Sequence, residues 1–114
     1  MRVANVLPFT ALKIFAFQDR HENKDAYDLV FTLLNSEDGP HEAGIAARSS
    51  AVAEHPQLRE ALTLLEERFR DVEQDGSNAY ASFLARPDDD DEKARLRQQA
   101  VATVREFLRG LGEP

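Results

Sequence analysis

The chain contains no cysteine, which removes disulfides, thiol nucleophiles and thiolate-ligated zinc from consideration. No apolar run approaches the ~20 residues that a membrane-spanning helix needs. Met1-Arg2-Val3 is not followed by the apolar core of a secretory signal. The cytoplasm is therefore the expected location, and no membrane partner is expected. A field of positive charge is also missing. There is no basic helix or stripe to attract phosphates, so nucleic acid is not an expected partner. The net charge is -7, yet Asp88, Asp89, Asp90, Asp91 and Glu92 supply five of the 21 acids. Without them the chain is close to neutral, with 16 acids against 14 bases. The acidity belongs to one segment and not to a whole face.

What remains is an ordinary globular balance. Hydrophobic residues make up 42% and charged residues 31% of 114 positions, enough to bury a modest core and too apolar for a disordered chain. One domain over residues 1–114 is expected. Val3 to Leu7 reads as a brief strand or an extended lead-in, and Pro8 suits a first helical position, where its missing N–H costs nothing. Residues 8–18 are apolar on nearly every side, through Phe9, Ala11, Leu12, Ile14, Phe15, Ala16 and Phe17. Such a helix is buried or waits for a cover. Residues 19–23 are polar and predict a turn, with Asn23 as N-cap of a second helix that runs to Leu34. Asn35, Ser36 and Gly39-Pro40 end it.

Residues 40–54 are Ala-rich and predict a helix with little side chain to pack. Pro56 opens the clearest stripe in the chain: Leu58, Leu62, Leu65 and Phe69 recur at spacings of four, three and four. Gly76-Ser77-Asn78 is expected to break it, and a short helix over 79–85 places Tyr80, Phe83 and Leu84 on one side. Residues 86–92 read as an acidic linker. The final helix repeats Leu96, Ala100, Val104, Phe107 or Leu108, and Leu111, carries acids early and Arg105 and Arg109 late, and is expected to stop at Gly110 and Gly112. The fold class predicted is all-α, about five helices in a compact bundle. Leu62, Leu65, Phe69, Phe83, Val104 and Phe107 are the expected core.

One stretch bears on chemistry. Lys13 is a lone cation on the apolar helix, and Lys24-Asp25-Ala26-Tyr27-Asp28-Leu29 follows it. Asp25 and Asp28 share a helix face, and a hairpin over 8–34 brings Lys13 to Asp25. A lysine beside two carboxylates suits holding a polyphosphate and orienting a nucleophile. The lysine would meet phosphate as a point charge, and an aspartate would accept a proton or fix the lysine. The same residues also suit a structural role. Acids in a first turn stabilise a helix, and a lysine can snorkel from an apolar one.

This segment resembles the C-terminal signature of nucleotidyltransferase-like proteins of the AbiEii and minimal-nucleotidyltransferase kind. There a lysine-bearing helix, as in Ala11-Leu12-Lys13-Ile14-Phe15-Ala16, precedes a [KR]-D-x-x-D-L helix, here Lys24 to Leu29, with Asp19-Arg20 between. The resemblance implies that Lys13, Arg20 and Lys24 face nucleotide phosphates and that Asp25 and Asp28 line or brace the catalytic site. It also implies a metal held on a Gly-Ser turn and an Asp-x-Asp pair of strands, which these residues lack; Asp88-x-Asp90 has the letters without a strand platform. The expectation is a truncated or split nucleotidyltransferase-like helical domain that is not active as an isolated chain. It would bind no metal of its own, and magnesium and a nucleoside triphosphate only when a catalytic domain or another chain, docked through residues 8–18, completes the site. The alternative is a stand-alone interaction module, either an antitoxin-like or regulatory partner or a homodimer closed through residues 8–18. His41-Glu42 lacks the second histidine of a zinc helix, and Ser49-Ser50 has no base nearby in sequence.

Overall fold

Among the described residues six α-helices form, each where an apolar stripe is framed by turn residues, and no strand occurs. The computed structural model describes residues 6–36, 39–48 and 56–112, with side chains from residue 9 onward. In chain order the helices are α1 (Val6–Arg20), α2 (Asn23–Leu34), α3 (Gly39–Arg48), α4 (Pro56–Arg68), α5 (Asp75–Leu84) and α6 (Asp90–Gly112). The bundle is all-α, as the periodicity predicts, with one helix more than expected. Val6 and Leu7 belong to α1 and not to a strand, and Pro8 lies in its first turn. Val3 to Asn5, and residues 49–54 of the Ala-rich segment, lie outside the described residues.

α6 is the axle. Its 23 residues extend ~34 Å, and α3 and α5 pack along it, with α2 and α4 also touching it. The acidic run that reads as a linker is partly this helix. Asp90, Asp91 and Glu92 form its first turn, where the dipole favours acids. Asp89 precedes them as a cap, its Oδ1 accepting the Glu92 backbone N–H at 3.0 Å.

The glycines that read as stops do other work. Gly110 is buried inside α6 and faces Gly44, buried in α3. A Cβ on Gly110 would lie 2.1 Å from the His41 carbonyl oxygen, and one on Gly44 would lie 2.1 Å from the Phe107 carbonyl oxygen. The two helices meet backbone to backbone, which is why an α3 made of small residues can be held at all. Gly76 does not break a helix either; it lies in the first turn of α5, with the Phe69 ring edge 2.8 Å from where its Cβ would be. The break comes earlier. Asp71 turns the chain by accepting the Glu73 N–H on its side chain at 2.9 Å and the Ser77 hydroxyl on its carbonyl at 2.9 Å.

The core takes Ile14 and Phe17 from α1, Leu29, Val30 and Leu33 from α2, and Leu65, Phe69, Tyr80, Leu96, Val104 and Phe107 beyond. Of the residues expected there, Leu62 is only half-buried and Phe83 is 43% exposed. Phe83 lies flat on Tyr27, ring centroids 4.7 Å apart, on the outside of α2 and α5. Residues 8–18 are not a naked apolar helix. Ala11, Ile14 and Phe17 are consumed inside the bundle, while Leu12, at 64%, and Phe9, at 36%, stay exposed.

Candidate site at the α1–α2 hairpin

Only His21 and Glu22 separate α1 from α2. A link this short needs a left-handed residue to stop the first helix. His21 supplies it at φ 54°, although glycine is the usual choice there. Its N–H closes the last turn on the Phe17 carbonyl at 2.7 Å, and its ring leans on Phe17 at 5.2 Å. Nothing in the sequence marks this position, so residues 19–23 read as one polar turn. In fact Asp19 and Arg20 finish α1, and α2 starts at Asn23, with Glu22 as N-cap residue and no side-chain cap.

The hairpin runs the two helices antiparallel and brings the five expected residues together. Lys13 Nζ donates to Asp28 Oδ2 at 2.9 Å and stands 3.9 Å from Asp25 Oδ1. Arg20 Nη2 donates to both Asp25 oxygens, at 2.9 and 3.0 Å. Lys24 Nζ donates to Asp28 Oδ2 at 3.1 Å. The nearer partner of Lys13 is thus Asp28, in the second turn of α2, and not Asp25 in the first.

Burial orders the cluster. The Asp25 side chain is 4% exposed and Lys13 21%, while Arg20 and Lys24 stand at 58% and 67%. The carboxylates lie underneath and the cations spread over them. Three cations against two carboxylates leave a net charge of +1 on a chain of -7. The ammonium of Lys13 also lies 5.5 Å from the Phe9 ring centroid, a cation–π distance.

Partial burial raises the Asp28 carboxyl, but hydrogen bonds from Lys13 and Lys24, and their charge, outweigh it and hold it below its ordinary 3.8. A carboxyl depressed by folding contributes stability above the unfolded value and loses it as pH falls through the folded one. Asp28→Asn is therefore expected to flatten the decline in stability below pH 3.8, read from urea unfolding at a series of pH values. An unchanged acid limb would show that the Lys13–Asp28 contact does not form in solution.

A second polar cluster borders the first and has no sequence signal, because its members come from three elements. Arg68 donates Nε to Gln18 Oε1 at 3.0 Å and places Nη1 3.7 Å from Asp75 Oδ1, while His21 Nε2 is 3.5 Å from Asp75 Oδ2. It ties α4 and α5 to the end of α1. Tyr80 is buried, and that burial together with the neighbouring Tyr27 raises its phenol above 10.0; its hydroxyl donates to Gln99 Oε1 at 2.6 Å. Among the described residues, no three His, Asp or Glu side chains converge as metal ligands. Asp88-x-Asp90 lies exposed beside the capping Asp89. No helix among the described residues is long and apolar enough to cross a membrane. No family model, no curated protein and no solved structure matches this chain.

Proposed function

We propose that the α1–α2 hairpin is a phosphate-facing helical module of nucleotidyltransferase-like type, which works by completing a site that a catalytic domain or another chain supplies. The observation that supports this reading is the convergence of Lys13, Arg20 and Lys24 over Asp25 and Asp28. Carboxylates placed under cations fix their direction in advance, and oriented cations stabilise phosphate charge better than mobile ones. In this reading Lys13 and Lys24 meet phosphate oxygens, Arg20 offers its remaining N–H groups, and Asp25 positions Arg20. Asp28 accepts from both lysines and would have to release one of them to act as a base. Magnesium and the triphosphate would arrive with the completing domain.

Titration of the labelled chain with ATP, followed by amide chemical shifts, tests the reading. Shifts are expected at residues 12–14 and 20–28, and Lys13→Met is expected to weaken binding by about tenfold, the usual loss for a charge-assisted contact. Mixing the pure chain with ATP, magnesium and an acceptor should give no transfer. Silence at millimolar ATP would sink the phosphate role, and robust transfer would sink the claim that a second domain is needed.

A second reading, a self-associating interaction module, draws on the aromatic surface of Tyr27, Phe31 and Phe83, in which Phe31 is 49% exposed. Sedimentation separates the two: a monomer at high concentration leaves only the first.

A further inference from the structure

The antiparallel faces of α4 and α6 do not close on each other. α4 leans on α1 and touches α6 over a shorter stretch, and two adjoining depressions open between them, of about 480 and 380 Å3, with Leu108 lining both. On the α4 side the lining residues are Arg59, Leu62, Thr63 and Glu66 along one helix face, and Phe69 and Arg70 just past its end. Those of α6 include Val104, Arg105, Leu108 and Leu111, again one face. Phe69 and Val104 form a buried floor, and Leu62, Leu108 and Leu111 are half-buried along the walls. From Arg59 to the end of α4 at Arg68 the groove runs ~14 Å, about two and a half helical turns.

The rim is dominated by arginine. Arg48, Arg59, Arg70, Arg105 and Arg109 line it, with Glu66 the one acid among the lining residues. Arg20, Arg68 and Arg95 elsewhere are held by carboxylates. By contrast, Arg48, Arg59, Arg70 and Arg105 form no ion pair among the described residues, and the Nη1 of Arg48 is buried without a hydrogen-bond partner. A protein of net charge -7 that gathers arginines around an apolar trough presents a local charge opposite to its own surface.

We propose that the α4–α6 groove docks an acidic amphipathic helix of another protein. Its leucine-type residues would lie on Phe69, Val104 and Leu108, and its carboxylates would pair with Arg59, Arg70 and Arg105. About two turns of apolar lining, Leu62 to Phe69 on one side and Val104 to Leu111 on the other, between arginine rims fit the spacing of a helix laid in a groove, and arginine offers carboxylates a two-pronged partner. A small anionic amphiphile would fill one depression and leave the other open. A second copy of this chain carries its densest acidic run on Asp88–Glu92, a stretch with no apolar residue for the floor, and its other 16 acids are dispersed along the chain. The proposal uses none of the hairpin residues and stands apart from the phosphate reading.

The test uses a synthetic peptide of about fourteen residues, with leucine at helical spacing and glutamate elsewhere, and a counterpart with lysine for glutamate. With the methyl-labelled chain, the acidic peptide is expected to shift Leu62, Val104, Leu108 and Leu111, and to bind at least tenfold more tightly than the lysine peptide. Arg70 and Arg105 are exposed, so Arg70→Glu with Arg105→Glu leaves the fold in place, as circular dichroism will verify. That double variant should invert the preference. The proposal is overturned if neither peptide shifts these methyls at millimolar concentration, if both bind wild type equally, if the double variant keeps the original preference, or if decanoate binds the groove while the acidic peptide does not.

Discussion

Gly110→Ala is expected to lower the stability of the chain by about 3 kcal/mol and its Tm by on the order of 10 °C. The sign is the informative part. Alanine in a helix interior ordinarily gains ~1 kcal/mol over glycine, so a substitution judged on propensity alone would stabilise α6. Here the new methyl would lie 2.1 Å from the His41 carbonyl oxygen and 2.9 Å from the Ile45 nitrogen. Both are backbone atoms and cannot swing aside, so the helices must part. Gly44→Ala meets the Phe107 carbonyl in the same way and should cost a similar amount. Gly112 has nothing within 4 Å of its would-be Cβ, and Gly112→Ala should be neutral or mildly stabilising. Urea denaturation of the three variants decides the matter. If Gly110→Ala behaves like Gly112→Ala, α3 and α6 do not cross at these glycines.

Phe107→Ala should cost about 4 kcal/mol, the usual loss for a fully enclosed phenylalanine with its cavity. That is a large fraction of the 5–15 kcal/mol typical of a domain's total stability. Phe107 is 0% exposed and sits where α6 meets α3, one turn before Gly110. Phe83→Ala should cost only ~1 kcal/mol, since Phe83 loses a stacking contact with Tyr27 and little burial. The comparison is read from the midpoints of urea transitions with unchanged slopes. A reversal of the order would mean that α5 is rotated from its described position, with Phe83 turned inward.

These two cases show where the sequence was legible and where it was not. Leu65, Phe69, Val104 and Phe107 lie on stripes whose period is the helix's own, and periodicity alone places them inside. Phe83 lies on a stripe with Tyr80, but a ten-residue helix on the outside of a bundle buries only part of an apolar arc. Periodicity gives the arc and not its width. The glycines failed for a related reason. A glycine near a helix end looks like a stop whether it ends the chain's helical path or makes room for another backbone, and only the partner helix tells which. Asn23 missed the cap by one residue, within the ordinary ambiguity of helix starts. The meeting of Lys13 with Asp25 and Asp28 was legible because both helices and the short polar link could be read locally. The Arg68–Asp75–His21 cluster was not, since no local pattern joins α4 to the link between α1 and α2.

The α1–α2 ion pairs join residues only five and fifteen positions apart, whereas the Gly44–Gly110 crossing joins distant parts of the chain. Ring closure costs little entropy for the former and more for the latter. The hairpin is thus expected to assemble first and the seating of α3 to come late, an order that mutational folding rates at Asp28 and Gly44 would check. An α3 of small residues has little to hold it before α6 arrives and gives its backbone two seats to approach, at Gly44 and Gly110.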